Sequence, residues 1–204
     1  MKRLAIFDFD GTLINIDSLF LYSKFSRGIF YLICSCIKIS FDLLLWKLKI
    51  KDNGIVKEKL LKLLIDKQPL SEFEKKCNRF SQILNSYENS KVVNAMLHHL
   101  NSGDNVVIVS ASPTNWVRAW ASHKGDIKVI GTDLKVQDDS TIDGTFLTKN
   151  CYGVEKVNRL KQQYDLDQFD EIFVYGDSTG DIPLMKIADK SFWVKKGKVT
   201  EIQN

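Results

Sequence analysis

Two acidic motifs in this 204-residue sequence have the residue types and spacing needed for phosphoryl transfer. The first, DFDGT at residues 8–12, directly follows the apolar run at 4–7. One of its two carboxylates can attack phosphorus and form an aspartyl-phosphate, while the other protonates the leaving oxygen and later activates water. Because two nearby anions disfavour each other, either Asp8 or Asp10 should have a raised pKa. A turn with two solvated aspartates is the alternative interpretation.

The second motif, GDSTGD at residues 176–181, follows the apolar run at 172–175. Asp177 and Asp181 are four residues apart and can hold a hard cation at a strand end. Mg²⁺ prefers oxygen ligands and keeps several waters, so one or two carboxylates and a substrate phosphate suffice to bind it. The alternative is that these acids cap the following helix. Since capping and metal binding are compatible, the motif still favours a magnesium site.

Two further positions have the chemistry to hold a phosphoryl group. Ser110 ends the apolar run at 106–109, and its hydroxyl with the backbone N–H of Ala111 can bind a phosphate oxygen. Lys156 lies near the start of a predicted helix, where its ammonium can neutralise phosphoryl charge. A turn serine and a solvated lysine are the simpler alternatives. The joint occurrence of all these residues at strand ends and helix starts is far less expected by accident than any one of them.

Short continuous apolar runs predict the strands that position these residues. They are residues 4–7, 106–109, 172–175 and 192–194, with a fifth at 127–130. Continuous apolar residues indicate a parallel sheet covered on both faces. Helical patterns lie between the strands, at 92–100, 116–120, 154–160 and 182–187. The alternation predicts an α/β fold with a doubly wound, Rossmann-like parallel sheet of about five strands, which binds ligands beyond the carboxyl ends of its strands.

Two segments interrupt this alternation. Residues 13–90 contain no predicted strand, only helical, lysine-rich sequence, and should form a helical cap over the carboxyl edge of the sheet. The predicted domains are an α/β core, residues 1–12 and 91–204, and the cap, residues 13–90. Residues 139–148 contain Asp143-Gly144, a dipeptide typical of tight turns, and predict a β-hairpin.

In their order along the chain, the motifs resemble those of the haloacid dehalogenase superfamily. DFDGT is similar to the first motif, Ser110 to the second, Lys156 to the third and GDSTGD to the fourth. The resemblance implies a hydrolase with a Rossmann-like core. It also implies that Asp8 is the nucleophile and Asp10 the general acid and base of a phosphatase.

The same resemblance implies a set of ligands. The cofactor Mg²⁺ would be bound by the carboxylates of Asp8 and Asp177 and by the backbone carbonyl of Asp10, with Asp181 acting directly or through a water. The phosphoryl group would be bound by the side chains of Ser110 and Lys156 and by the backbone N–H groups of Phe9, Asp10 and Ala111.

The helical insertion resembles the cap of the phosphoserine-phosphatase-like branch (subfamily IB). Within that branch, residues 151–157 (CYGVEKV), the ending FWV at 192–194 and the apolar, basic cap resemble bacterial phosphatidylglycerophosphatase C-type proteins. This resemblance implies a phospholipid phosphate as substrate. A small soluble phosphometabolite, phosphoserine-like or a sugar phosphate, is the alternative. Phosphoserine phosphatases carry a Glu just after the first motif, where this chain has Asp17, which makes Asp17 a candidate for substrate specificity.

Two other classes of function use similar residues. A phosphotransferase would pass the phosphoryl group to an alcohol instead of water. A non-enzymatic phospho-receiver also combines an acceptor Asp, an acid cluster, a hydroxyl and a Lys, but its acid cluster follows the first strand and its acceptor the third. Here the Asp-x-Asp pair follows the first strand and further acids the fourth, which favours turnover.

The charge of the cap leaves the type of partner open. Residues 24–67 contain ten Lys or Arg and four acids, a net +6 against +4 for the whole chain, beside Phe30, Tyr31, Phe41 and Trp46. Apolar residues beside basic ones are typical of a helix lying on an anionic membrane. They are equally typical of a helix packed on its own domain, and basic charge also steers small anionic substrates.

Composition limits the remaining choices. At 44% hydrophobic and 26% charged, the chain is an ordinary globular protein, and its net charge does not indicate nucleic acid. The four cysteines form no Cys-x-x-Cys pair, and the run at 4–7 is too short for a signal peptide. We therefore expect a cytoplasmic protein, peripheral at the inner membrane surface if the cap binds lipid, with its oligomeric state left open.

Overall fold

A mostly parallel β-sheet lies at the centre of the computed structural model, which describes residues 1–48 and 50–202. The strands are β1 (Arg3–Phe7), β2 (Gln68–Pro69), β3 (Asn105–Pro113), β4 (Lys128–Thr132), β5 (Leu134–Val136), β6 (Thr141–Phe146), β7 (Glu171–Gly176), β8 (Lys190–Lys195) and β9 (Lys198–Ile202). The helices are α1 (Ser18–Arg27), α2 (Ile29–Lys38), α3 (Ser40–Lys47), α4 (Asn53–Leu64), α5 (Leu70–Leu84), α6 (Ser90–Asn101), α7 (Thr114–Ala121), α8 (Val154–Gln163) and α9 (Ile182–Met185). Lys49, which contributes to the cap charge above, and residues 203–204 of the predicted core lie outside the described residues.

The central sheet has the order β4-β3-β1-β7-β8-β9, and each neighbouring pair except β8–β9 is parallel. Leu4 and Ile6 of β1 pack in one apolar cluster, whereas Ala5 and Phe7 pack in another. Alternate residues of a strand point to opposite faces, so burial on both faces explains the continuous apolar run. The predicted α/β fold and its five parallel strands are confirmed.

The edge strand β9 was missed by the sequence prediction. It follows β8 through Lys196-Gly197, both with positive φ, and pairs antiparallel with β8. Its sequence, KVTEI, has three polar residues out of five and no buried residue. An edge strand exposed to solvent has no continuous apolar run, and that run was the signal that identified the other five.

Helices cover both faces of the sheet, as the doubly wound prediction requires. Helices α6 and α7 contribute Met96 and Trp116 to one apolar cluster, and α8 and α9 contribute Leu160 and Met185 to the other. The four predicted helices of the core are present, although α9 ends at Met185, two residues before the predicted end at residue 187. Because β1, β3 and β7 are parallel neighbours, their carboxyl ends lie at one end of the sheet. The two acidic motifs follow β1 and β7 at that end.

The insertion between β1 and α6 folds as helices α1–α5 and the two-residue strand β2. The prediction of a purely helical insertion was wrong at β2, which pairs antiparallel with β6. Tyr22 of α1 stacks on Trp116 of α7, with ring centroids 4.9 Å apart, and meets Phe80 of α5 edge-on at 5.2 Å. One apolar cluster thus joins residues of the insertion to residues of the sheet layer. The division into a core and a cap at residues 12 and 90 remains a prediction.

A β-hairpin is present, but β5 and β6 place it at residues 134–146 and not at the predicted 139–148, and the prediction of its turn was also wrong. The turn lies at residues 137–140, where Ser140 has a φ of 58°, and Asp143-Gly144 lies inside β6. A Cβ added at Gly144 would lie 2.8 Å from the carbonyl oxygen of Leu61 in α4. The glycine therefore permits close packing of a helix on the strand rather than a turn.

No single helix in the described part of the chain is long and apolar enough to cross a membrane. Helices α2 and α3, which meet at a bend of 67°, satisfy these criteria only when they are counted together.

Candidate active site

Asp8 lies directly after β1, buried beside the ends of the neighbouring strands. Its backbone N–H donates to the carbonyl of Tyr175 at 2.9 Å, which extends the β1–β7 pairing by one residue. Lys156 Nζ donates to Asp8 Oδ1 at 2.6 Å, and Thr12 Oγ1 donates to Oδ2 at 3.4 Å. Donors from α8 and from the turn after β1 thus hold the carboxylate in one orientation.

Lys156 projects from the first turn of α8 into the same buried site, with 2% of the residue exposed. Its ammonium donates to Asp8 Oδ1 and to Asp181 Oδ1, both at 2.6 Å. Burial by itself lowers the pKa of Lys156, but the charges of Asp8 and Asp181 outweigh burial and raise this pKa above its usual value. The lysine therefore remains a cation.

Three carboxylates form an acidic cluster around this lysine. Oxygens of Asp8, Asp177 and Asp181 all lie within 4.8 Å of one another. Burial, followed by the charge of Asp181, raises the pKa of Asp8 and raises that of Asp177 to about 6. Three ionised carboxylates facing one ammonium have a net charge of −2, which a divalent cation balances. Carboxylate oxygens are the donors that Mg²⁺ prefers, so the residues present fit this ion.

The GDSTGD loop is organised by its own last residue. Asp181 Oδ2 accepts hydrogen bonds from the N–H groups of Asp177 and Ser178, at 3.3 and 3.1 Å, and from the Ser178 hydroxyl at 2.9 Å. Gly11 has a φ of 78°, and a Cβ added there would lie 2.2 Å from Asp177 Oδ2. The glycine of DFDGT therefore allows the two acidic motifs to meet.

The carboxylate of Asp10 is not part of the acidic cluster and is held by donors other than Lys156. Its Oδ1 accepts the backbone N–H of Ser18 at 3.0 Å, and its Oδ2 accepts the hydroxyl of Ser112 at 2.5 Å. Burial, followed by the charge of Asp17, raises the pKa of Asp10, while Lys57 and the two serine hydrogen bonds oppose the rise. A raised pKa suits a carboxyl group that donates a proton to a leaving oxygen.

Three of the expected phosphate-binding residues, Phe9, Ser110 and Ala111, follow β1 or belong to β3. Ser110, buried in β3, accepts the backbone N–H of Ser112 through its Oγ at 3.0 Å. The carbonyl of Ala111 accepts a hydrogen bond from Lys57 of α4 at 3.0 Å. The ring of Phe9 points away from the cavity and packs edge-on against Trp120 at 5.4 Å, so only the backbone of Phe9 is available to a ligand.

A cavity of about 460 Å³ opens between the sheet edge and the inserted helices. Its polar end contains most of the predicted site residues, namely Asp8, Asp10, Ser110, Ala111, Lys156 and Asp177. Asp17 also lines the cavity, but its Oδ1 caps α1 by accepting the N–H groups of Leu19 and Phe20, at 2.9 and 3.2 Å. Asp181 is fully buried and is not among the lining residues.

Sequence reasoning missed two residues that act at this site. Lys57 reaches the cavity from α4, and Ser112 bonds Asp10 from β3. Ser112 had a detectable signal, because residues two apart on a strand share a face and Ser110 was already a candidate. Lys57 had none, since its position in the site depends on how α4 packs.

Comparison with known proteins defines the class of this protein. Residues 5–186 match the model of the haloacid dehalogenase-like hydrolases, and the chain belongs to that family. Its curated relatives include Protein CicA of Caulobacter vibrioides, in strains NA1000 and ATCC 19089, which is 30% identical over 96% of this chain and 87% of its own length. The predicted membership of the haloacid dehalogenase superfamily is thereby confirmed, whereas the phosphatidylglycerophosphatase resemblance remains a prediction.

Solved structures show the same fold. A protein of unknown function from Bordetella pertussis Tohama I aligns with a TM-score of 0.79 and 23% identity, covering 94% of this chain and 89% of its own. A substrate-bound phosphoserine phosphatase aligns with a TM-score of 0.65 and 18% identity, covering 94% of this chain and 85% of its own.

Proposed function

We propose that this protein is a Mg²⁺-dependent phosphomonoester phosphatase that works through an aspartyl-phosphate on Asp8. The observation behind the proposal is that the buried Asp8 accepts a hydrogen bond from Lys156 and belongs to the acidic cluster, while Asp10, held by other donors, lines the same cavity. An Asp8 oxygen attacks phosphorus, the ester P–O bond breaks, and Asp10 donates its proton to the leaving alcohol oxygen. Asp10 then accepts a proton from water, which attacks the phosphorus, releases inorganic phosphate and restores Asp8.

The metal ligands would be Asp8, Asp177 and the Asp10 carbonyl, with Asp181 acting directly or through a water. When bound, Mg²⁺ offsets the negative charge of the cluster and of the phosphoryl group. Asp181 has one oxygen bonded to Lys156 and the other to the loop, which supports the positioning of Asp177 as its main role. Lys156, the Ser110 hydroxyl and the backbone N–H groups of Phe9 and Ala111 would hold the phosphoryl oxygens.

We further infer that the substrate has an apolar part, as a phospholipid phosphate such as phosphatidylglycerophosphate does. Beyond its polar end, the cavity is lined by apolar side chains of the inserted helices, among them Leu43, Trp46, Val56 and Leu60. These residues offer little to the charged amino acid of phosphoserine. A small soluble phosphometabolite remains the alternative, and Asp17 at the cavity wall is the candidate for discriminating between substrates. A cytoplasmic location, at the inner face of the membrane, suits the lipid substrate.

Hydrolysis of p-nitrophenyl phosphate by the purified protein tests the chemistry. Asp8→Asn should abolish turnover, and EDTA should suppress it until Mg²⁺ is restored. Unchanged turnover by Asp8→Asn would refute the mechanism. An added alcohol acceptor separates hydrolysis from phosphotransfer, because a phosphotransferase would form a new phosphate ester. A panel of phosphorylated metabolites and phospholipid phosphates, with the same variant as the blank, then separates the lipid substrate from the soluble one.

A further inference from the structure

The inserted helices α2 and α3 expose a continuous series of large apolar side chains. Of the 17 large apolar residues exposed in the described chain, nine lie between residues 29 and 50, so the exposure is concentrated on this segment. We define the docking face as six residues: Phe30, Ile33 and Ile37 of α2, Phe41 and Leu44 of α3, and Leu48, which directly follows α3. Their exposed fractions are 81, 48, 67, 69, 52 and 59%. The spacing of three and four residues places each trio on one side of its helix.

Basic residues accompany the docking face without acidic partners. Lys24, Lys38 and Lys47 are exposed, and none of them forms an ion pair within the described residues. The one acid in α1–α3, Asp42, is already paired with Lys51 and with Lys59, which lie outside these helices. The charge around the face is therefore positive and not neutralised by the protein. Uncompensated lysines beside exposed apolar side chains complement a surface that is both apolar and anionic.

Helix α3 also connects this face to the catalytic cavity. Leu43 and Trp46 of α3 line the cavity, while Phe41 and Leu44 of the same helix belong to the docking face. Whatever covers the face must lie beside the cavity.

We propose that the docking face lies on an anionic lipid bilayer and that the cavity beside α3 takes its phosphomonoester from an amphiphile in that bilayer. The second half of this proposal rests on the proposed function, whereas the docking itself does not. Apolar burial at the acyl boundary and attraction between lysines and lipid phosphates act together on such a surface. A second copy of this chain would cover the apolar residues but would oppose like charge with like charge.

Vesicle flotation tests the docking separately from the chemistry. The wild type and the inactive Asp8→Asn variant should both float with phosphatidylglycerol–phosphatidylcholine vesicles and should float much less with pure phosphatidylcholine. Phe30→Ser with Phe41→Ser should lower the partition coefficient at least about tenfold, because two large side chains leave the interface. The matched control is Leu147→Ser with Val136→Ser, which removes two exposed apolar side chains elsewhere and should bind like the wild type. Circular dichroism confirms that each variant is folded.

Charge and depth have their own readouts. Lys38→Glu with Lys47→Glu should reduce binding to the anionic vesicles, and Lys161→Glu with Lys186→Glu, also exposed, should not. A solvatochromic dye on Cys34, which is exposed on the same side of α2 as Phe30 and Ile37, should shift to the blue with anionic vesicles in a Cys36→Ser background. Equal flotation of the docking-face variant and its control would overturn the proposal. The proposal would also be overturned if the wild type did not bind vesicles and instead formed a concentration-dependent dimer that the docking-face variant abolishes.

Discussion

Ser112 donates its hydroxyl hydrogen to Oδ2 of Asp10 at 2.5 Å, which connects the end of β3 directly to the carboxyl group of the first motif. The backbone N–H of Ser18, at the start of α1, donates to the other oxygen at 3.0 Å, and the two serine hydroxyls lie 3.1 Å apart. The orientation of Asp10 therefore depends on both the sheet and the inserted helices. In this arrangement Ser112 is a positioning residue for the proposed acid and base.

Replacing Ser112 with Ala should lower kcat for p-nitrophenyl phosphate by roughly tenfold to a hundredfold with a small effect on KM, because Asp10 loses its orientation. The Ser112 hydrogen bond stabilises ionised Asp10 and lowers its pKa, so its removal raises that pKa. Protonated Asp10 is the proposed proton donor, and in the variant this form persists to higher pH. The alkaline limb of the pH profile of kcat/KM should move up.

Ser122→Ala is the matched control, since Ser122 is exposed and its hydroxyl bonds only the carbonyl of Ala119 within the described chain. Its kcat and pH profile should equal those of the wild type. If Ser112→Ala also behaves like the wild type, Ser112 does not position the proton donor.

The parts of the fold that follow from local pattern could be predicted from the sequence. Residues 4–7 predict a buried strand, because both faces of β1 are covered. The acidic motifs predict a common site, because parallel strands end on the same side of the sheet. Asp8, Lys156 and Asp177 accordingly lie together. Strand β9 could not be predicted by the same rule, since an exposed edge does not need apolar residues.

The parts that depend on packing between distant segments could not be predicted. Gly144 resembled a turn glycine, yet it serves the approach of α4 to β6. Lys57 resembled the other cap lysines, and only the placement of α4 brings it to the carbonyl of Ala111. The resemblance made Asp17 a candidate for substrate specificity, and its capping of α1 was not predicted.

Asp17→Asn should shift the alkaline limb of kcat/KM in the opposite direction from Ser112→Ala. The charge of Asp17 raises the pKa of Asp10, so its removal lowers that pKa and the proton donor is lost at lower pH. Because Asp17 is exposed, salt screens its charge, so the shift should shrink as ionic strength rises. Asn still caps a helix, so α1 should remain intact.

Asp52→Asn provides the control, because Asp52 caps α4 through the N–H of Gly54 in the same way and is not among the main causes of the raised pKa of Asp10. It should leave the pH profile unchanged. A change in the order of preferred substrates with Asp17→Asn, without any shift in pH dependence, would instead assign Asp17 to substrate specificity.

Magnesium should stabilise the fold, because it offsets the net negative charge of the acidic cluster. At a hundredfold excess over Kd, a ligand that binds only the folded state adds about 2.7 kcal/mol to the free energy of unfolding. For a chain of this size that corresponds to a rise in Tm of roughly 5–10 °C over the EDTA-treated protein. Asp177→Asn should remove most of the rise, while the exposed Asp126→Asn should keep it, as measured by differential scanning fluorimetry. An equal rise in both variants would place the bound ion elsewhere.

Lys156→Met should destabilise the metal-free protein in a pH-dependent way. The variant leaves Asp8 and Asp181 buried without their shared cation, and breaking a buried pair costs about 3–5 kcal/mol near neutral pH. Lys156 lowers the pKa of Asp8, so its loss raises that pKa further above the value in the unfolded chain. A raised pKa in the folded state means that stability is retained below the unfolded pKa of about 4 and lost as pH rises through the folded value.

Urea unfolding in EDTA across this pH range should therefore show a small difference from the wild type in acid and a large one at neutral pH. Lys161→Met, an exposed residue of the same helix, should show no such trend. A difference that does not change with pH would mean that Lys156 contributes through packing alone, since the expected pH dependence comes from the raised pKa of Asp8.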